Sequence, residues 1–288
     1  MKLVTFHTRA RHSIGKVIGQ QVIDLPASDP SLPGSMLEFL RGGQLFMERA
    51  RALEPSQAVT YPLADVSLAA PVPNPSKFLA IGMNYRKHVA EAVAAGIKVP
   101  DSQVWFNKQV SCVNGPFDSV LMPKVSDHLD YEAELGVVIG TRCRHVSEAD
   151  AASVIAGYVV CNDVSVRDWQ MRSPTMMLGK SFNTHGPFGP WIVTREEIAD
   201  PHNLSMRMFV NGELRQEVNT GEMIYNIWQQ IAYLSTVMTL EPGDVLATGT
   251  PSGVGLAYKP PKFLKVGDVA RVEIDGVGHI ENRVAQEI

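Results

Sequence analysis

A mostly β protein with a few helices (α+β), a long body following a small N-terminal unit, is the fold class this sequence predicts. Three observations carry it. β-type runs dominate from Leu129 onward, helical periodicity stands out in only two segments, and the densest proline cluster, Pro71-Val-Pro-Asn-Pro75, precedes the body.

The first ~70 residues are set apart by that cluster, because prolines at this density favour an extended connector; the expected division is 1–70 and 71–288. Lys77 to Gly82 then reads as a short buried strand. His88 to Ala95 reads as a helix closed by Gly96. Strands are expected at Leu135–Ile139, Gly157–Val160, Pro190–Val193, Met206–Val210 before an Asn211-Gly212 turn, Val245–Thr248 and Val269–Ile274. The second helix, Met223 to Met238, spaces Ile224, Ile227, Trp228, Ile231 and Leu234 along one side. Two Gly-Asp pairs, Gly243-Asp244 and Gly267-Asp268, each stand just before a β run and suit hairpin corners.

Bulk properties narrow the function classes. A chain of 288 residues with 45% hydrophobic and 19% charged residues can bury a sizeable core. A net charge of -4 offers no basic footprint for nucleic acid. The longest uncharged stretch carries too many amides and hydroxyls for a membrane span. Cys112, Cys143 and Cys161 form neither a C-x-x-C pair nor a disulfide framework, which fits a reducing cytoplasm. A protein acting on a small molecule is the expectation.

The chemistry is concentrated in acids. Glu132 and Glu134 are two apart, a spacing that in a strand turns both carboxylates to one face. Two such anions beside the apolar run Leu135–Ile139 repel unless a proton or a cation intervenes; a solvated face at a strand end is the plainer alternative. Asp163 emerges where the apolar run Gly157–Cys161 stops, although an Asp there also suits a simple turn. Three carboxylates without Cys or paired His make a hard oxygen site, suited to Mg²⁺ or Mn²⁺, with Ca²⁺ also open. Three protein oxygens leave up to half of an octahedron for water or substrate.

His88 and Glu91 share one helix face, where the carboxylate can orient the imidazole as a general base; a solvent-facing pair is the alternative. Gly82 and Gly96 bracket this helix, so the segment from about Asn84 to Val99 is expected to form a lid. Arg167, Gln170 and Lys180 follow Asp163 closely and could hold a substrate carboxylate or a developing oxyanion. Gly249-Thr-Pro-Ser-Gly253 lacks both the Walker ending and the third glycine of a dinucleotide fingerprint, which removes nucleotide binding.

Where these pieces meet, the sequence resembles the fumarylacetoacetate hydrolase family. The resemblance runs in order through Ala80-Ile-Gly-Met-Asn-Tyr85 with His88 and Glu91, Asp130-Tyr-Glu-Ala-Glu-Leu-Gly136, Gly157 to Arg167, Gly179-Lys-Ser-Phe182 and Pro242 to Gly253. It implies a mixed β-roll catalytic domain, usually a homodimer, with Mg²⁺ or a similar ion on Glu132, Glu134 and Asp163. It further implies a water-activating dyad at His88 and Glu91, with Lys180 catalytic and Arg167, Gln170 and Thr250 near the substrate. The implied activity is hydrolysis of a C–C bond in a 2,4-dioxo acid. Decarboxylation of a 2-oxo diacid such as oxaloacetate, or isomerisation of a 2-oxo-enoate, is the alternative. The loop Met83 to Lys87 and the stretch Asn183 to Gly186 depart from the common family pattern, so the substrate is less determined than the chemistry.

Overall fold

The computed structural model describes every residue except Ala10, Ala95, Ile97 and Pro100. A 12-stranded mixed sheet forms the frame, and a 5-stranded sheet packs near it. The large sheet runs in the order Thr60–Pro62, Gln21–Asp24, His12–Ile18, Lys2–His7, Gly186–Thr194, Ile155–Asn162, Ala133–Ile139, Val245–Ala247, Phe78–Gly82 and Val104–Lys108, with Ser67–Ala69 paired to Lys2–His7 and Val113–Asn114 to Gly186–Thr194 off this path. Along this path neighbours are antiparallel except Val245–Ala247 against Phe78–Gly82. The protein is thus α+β with β dominant, as expected.

The central strands explain the absence of a polar alternation in the sequence. Ala133–Ile139 and Ile155–Asn162 are buried at every position, because apolar side chains cover both faces of the sheet. Leu135, Val137 and Ile139 face one core cluster, shared with the small sheet (Met206, Val272, Ile280) and the helix Ile227–Val237. Val138, Val159, Cys161 and Val245 face the other, shared with Phe39 and Leu40 of the helix Met36–Arg41.

The N-terminal segment is tied into this frame. Lys2 and Leu3 pair with Val193 and Ile192, and Leu3, Ile14 and Ile23 share a cluster with Phe78, Phe188 and Val245. The division at residues 70 and 71 therefore stands as a proposal about folding units, with Pro71 and Pro73 at the crossing.

Two helical expectations need correction. The helix expected from Met223 begins at Ile227, because Asn226 caps it and forms a reciprocal capping box with Gln229. Met223 to Tyr225 instead pair with the site loop: Met223 bridges Tyr85, and the Ile224 N–H donates to the Asn84 carbonyl at 2.7 Å. Two further helices, Met36–Arg41 and Gly43–Ala52, occupy the N-terminal segment, where the Gly42-Gly43 break obscures their periodicity. The helix expected at His88–Ala95 is observed as Arg86–Ala94; Ala95, and with it part of the expected lid, lies outside the described residues.

Candidate active site

The site forms where the central strands end. Glu132 immediately precedes the strand Ala133–Ile139, in which Glu134 lies, and Asp163 immediately follows its antiparallel neighbour Ile155–Asn162. The Asp163 N–H donates to the Glu132 carbonyl at 2.9 Å, so register alone sets the acids side by side. One oxygen from each of Glu132, Glu134 and Asp163 falls within 4.8 Å of the others, and all three residues are buried.

Cations flank the acids. Lys180, 1% exposed, donates from Nζ to Glu132 Oε2 at 2.7 Å and Asp163 Oδ2 at 2.8 Å. Arg167 spans Asp130 Oδ2 and Glu132 Oε1, each at 2.7 Å, and reaches Gln170 Oε1 at 2.9 Å. Its Nη2 is buried without a hydrogen-bond partner and Arg167 lines the cavity described below, so the guanidinium retains a donor for a ligand. Lys108, fully buried, reaches Asp163 Oδ1 at 2.6 Å.

The electrostatics divide the acids. Burial raises the pKa of Glu132, but Lys180 and Arg167 outweigh it and pull the group down to about 2. Glu134 has no cation hydrogen-bonded to it. Burial, then Asp163 and Glu132, push its carboxyl well above the usual range, while Lys180 and the Gly249 N–H bonded to Oε2 at 2.7 Å pull less strongly the other way. With Asp130 included, four carboxylates face three cations, and Glu134 is the acid left to take a proton or a metal ion. A hard, oxygen-rich, under-neutralised cluster of this kind fits a divalent cation.

Two glycines permit this packing. Gly249 has φ +105, and a Cβ there would stand 2.7 Å from Asn84 Cβ, so only glycine brings this N–H onto Glu134. A Cβ at Gly179 would lie 2.2 Å from the Gln170 nitrogen, which places the turn carrying Lys180 directly on the helix of Arg167 and Gln170.

His88 and Glu91 lie across the cavity, with His88 Nδ1 and Glu91 Oε2 3.1 Å apart and side chains 18% and 29% exposed. The Gly253 N–H donates to Glu91 Oε1 at 3.0 Å and ties the dyad to the loop after Thr250. The cavity, about 160 Å³ and open to solvent on one side, is lined by His88, Glu91, Glu132, Arg167, Gln170, Lys180 and Thr250, with Met83, Phe106 and Met176 among the apolar walls. Each residue singled out in the sequence for chemistry borders it except Glu134 and Asp163, which lie behind Glu132 and Lys180. A larger cleft of about 660 Å³ near Arg215 and Lys262 contains none of these groups.

Sequence reasoning missed Lys108 and Asp130. Lys108 falls in phase with Val104 and Phe106 on an otherwise apolar strand face, a pattern that marks a buried, paired lysine. Asp130 accepts N–H groups from Gly255 at 2.7 Å and Leu256 at 2.9 Å besides Arg167; nothing local in the sequence announces such distant donors.

Comparisons with known proteins agree with this geometry. The oxaloacetate tautomerase fahd2 of Xenopus laevis, a mitochondrial protein, is 44% identical over 290 residues, 99% of this chain and 90% of that protein. Human oxaloacetate tautomerase FAHD2A, also mitochondrial, is 42% identical over 292 residues, 99% of this chain and 91% of its own. Among solved structures, maleylpyruvate hydrolase from Sphingobium sp. SYK-6 in complex with manganese (II) ion and pyruvate superposes with a TM-score of 0.84, at 34% identity with both chains fully covered. A fumarylacetoacetate hydrolase from Exiguobacterium antarcticum superposes at 0.87, with 36% identity and full coverage of both chains. The model for the C-terminal region of fumarylacetoacetate (FAA) hydrolase matches residues 77–285, the stretch that supplies every acid, cation and imidazole described above. By sequence and by fold, the chain belongs to the fumarylacetoacetate hydrolase family, enzymes that process 2-oxo acids.

Proposed function

We propose that this enzyme interconverts the keto and enol forms of a 2-oxo diacid of the oxaloacetate type. The observation that carries the reading is a single imidazole–carboxylate dyad facing a buried acid cluster across a cavity of only about 160 Å³. The names of the relatives 44% and 42% identical point the same way. Tautomerisation needs little room, one base at C3 and stabilisation of charge on the 2-oxygen; it expels no leaving group.

Glu132, Glu134 and Asp163 are the residues that would hold Mg²⁺ or Mn²⁺. Such an ion, when bound, supplies a Lewis acid for the substrate's carboxylate and 2-oxo oxygen and favours the enolate. Glu91 holds His88 Nδ1, leaving Nε2 to take the C3 proton of the keto form and give the enolate, or to return a proton to C3 of that enolate once the enol hydroxyl has lost its own proton to water. Arg167, through its unpartnered Nη2, and Lys180 offer donors to the substrate's oxygens, while Gln170 and Thr250 border the remaining volume. Met83 and Phe106 exclude water from the proton's path. We further propose that the helix Arg86–Ala94 acts as a lid over the bound acid, that the chain pairs as a homodimer, and that three buried free thiols suit a reducing compartment such as the cytoplasm.

Hydrolysis of an acylpyruvate is the second reading, favoured by the maleylpyruvate hydrolase structure. In it the same dyad would deprotonate water instead of C3. The test supplies enol oxaloacetate and a panel of 2,4-dioxo acids with Mn²⁺ present. Fast decay of the enol ultraviolet band without release of CO₂ supports tautomerisation. A larger kcat/KM for release of two acids from a dioxo acid overturns it in favour of hydrolysis.

A further inference from the structure

We infer that Lys108 is a positioning residue that makes the acid cluster selective for a small six-coordinate ion, Mg²⁺ or Mn²⁺, over Ca²⁺. The inference rests on the metal reading above and extends it to a residue with no other assigned task.

Lys108 ends the strand Val104–Lys108 and is 0% exposed. Its ammonium has three donors, and the structure supplies three acceptors: Asp163 Oδ1 at 2.6 Å, the Lys180 carbonyl at 2.5 Å and the Val164 carbonyl at 3.4 Å. It is therefore held on all sides and does not border the substrate cavity. Its effect is on Asp163, one of whose oxygens it occupies.

The other two acids are treated alike. Arg167 Nη1 takes Glu132 Oε1, and the Gly249 N–H takes Glu134 Oε2, both at 2.7 Å. Each carboxylate thus has one oxygen on a donor other than Lys180; Lys180 Nζ bridges the second oxygens of Glu132 and Asp163 and borders the cavity, so a cation that displaces it meets three single-oxygen ligands. Ca²⁺ prefers six to eight oxygens and commonly gains them from carboxylates that bind through both atoms, whereas Mg²⁺ and Mn²⁺ are satisfied by six oxygens with water or substrate completing the set. Fixing one oxygen of each acid withholds what Ca²⁺ uses. Of the three donors, Gly249 is backbone and Arg167 also faces the cavity; Lys108 alone is a side chain that does not border the cavity, although it also holds the Lys180 carbonyl.

The test is calorimetric titration of the metal-free full-length protein with MnCl₂, MgCl₂ and CaCl₂, comparing wild type with Lys108→Met and Lys108→Arg. The wild type should favour Mn²⁺ over Ca²⁺ by about tenfold or more, and Lys108→Met should narrow that ratio by about tenfold, because Asp163 is then free to bind through both oxygens. Lys108→Arg, which keeps a donor for Asp163, should retain the wild-type ratio. An unchanged ratio in a folded Lys108→Met protein overturns the inference while leaving the metal site standing. If that variant does not fold, the wild type still decides, since Ca²⁺ binding as tightly as Mn²⁺ overturns the inference. Absence of binding by all three ions overturns both it and the metal reading.

Discussion

The two halves of the site are built in opposite ways. Glu132, Glu134 and Asp163 sit at the ends of fully buried central strands, with each carboxylate hydrogen-bonded to a fixed donor. His88 and Glu91 sit on the helix Arg86–Ala94, whose only buried residue is Ala92, and one N–H from Gly253 anchors the pair. The acid half is therefore part of the fold's electrostatic balance, whereas the dyad is carried by an element that packing holds lightly. Substitutions in the first half should disturb stability and activity together; substitutions in the second should separate them.

The largest effect is expected at Glu132. Glu132→Ala removes a ligand and strips Lys180 and Arg167 of a buried counter-charge, a change that costs about 3–5 kcal/mol when one partner of a buried pair is removed. Activity should fall to background, and denaturant unfolding should show the loss. A variant as stable as the wild type would show that the acid half is not integral to the fold.

His88→Ala should lower the tautomerisation rate by about two to four orders of magnitude. Its melting temperature and divalent-ion affinity should stay near those of the wild type, because His88 makes one hydrogen bond at the cavity edge. Thermal melts and ion titrations check this. A destabilisation comparable to that of Glu132→Ala would erase the contrast.

A third prediction concerns acid. His185, fully buried below the site, has its pKa lowered to about 4 by burial, with Lys108 adding to the shift, although its Nε2 faces the Leu121 carbonyl at 2.8 Å. In the folded protein it stays neutral where the unfolded chain, near 6.5, would be protonated. Its contribution is complete above pH 6.5 and lost as the pH falls towards 4, a range worth about 3 kcal/mol. His185→Gln should flatten the fall in unfolding free energy over that window, and an unaltered slope would contradict the assignment.

The smallest effect expected is a gain. Glu134 is the acid with no cation hydrogen-bonded to it, so Glu134→Gln should raise the melting temperature of the metal-free protein by about 2–4 °C while abolishing ion binding. In the wild type the same raised pKa makes metal-free stability fall as the pH rises above the ordinary glutamate value of 4.5. Added Mn²⁺ should remove that dependence, and scanning calorimetry with and without the ion follows it.

Much of this is legible in the sequence. The strand from Val269 to Ile274 falls where its residues predict, and Glu132 with Glu134, two apart beside an apolar run, announced a shared face. The helix start at Ile227 was not legible from periodicity alone. Asn226 competes there as a cap, and the residues before it are held by Asn84, far away in the chain. The N-terminal helices were hidden by Gly42 and Gly43, which interrupt an otherwise helical run.

By itself the sequence determined the chemical inventory: which segments are apolar enough to be central strands, which acids lie at their ends, and which imidazole has a carboxylate one turn away. These are local properties, set by spacing along a strand or helix. Only the tertiary structure decided how charge is shared. That Lys108 takes one oxygen of Asp163, Arg167 one of Glu132 and Gly249 one of Glu134 depends on residues 55, 35 and 115 positions apart in the chain. Buried charges interact through space in a medium that screens them weakly, and sequence distance carries no information about that neighbourhood.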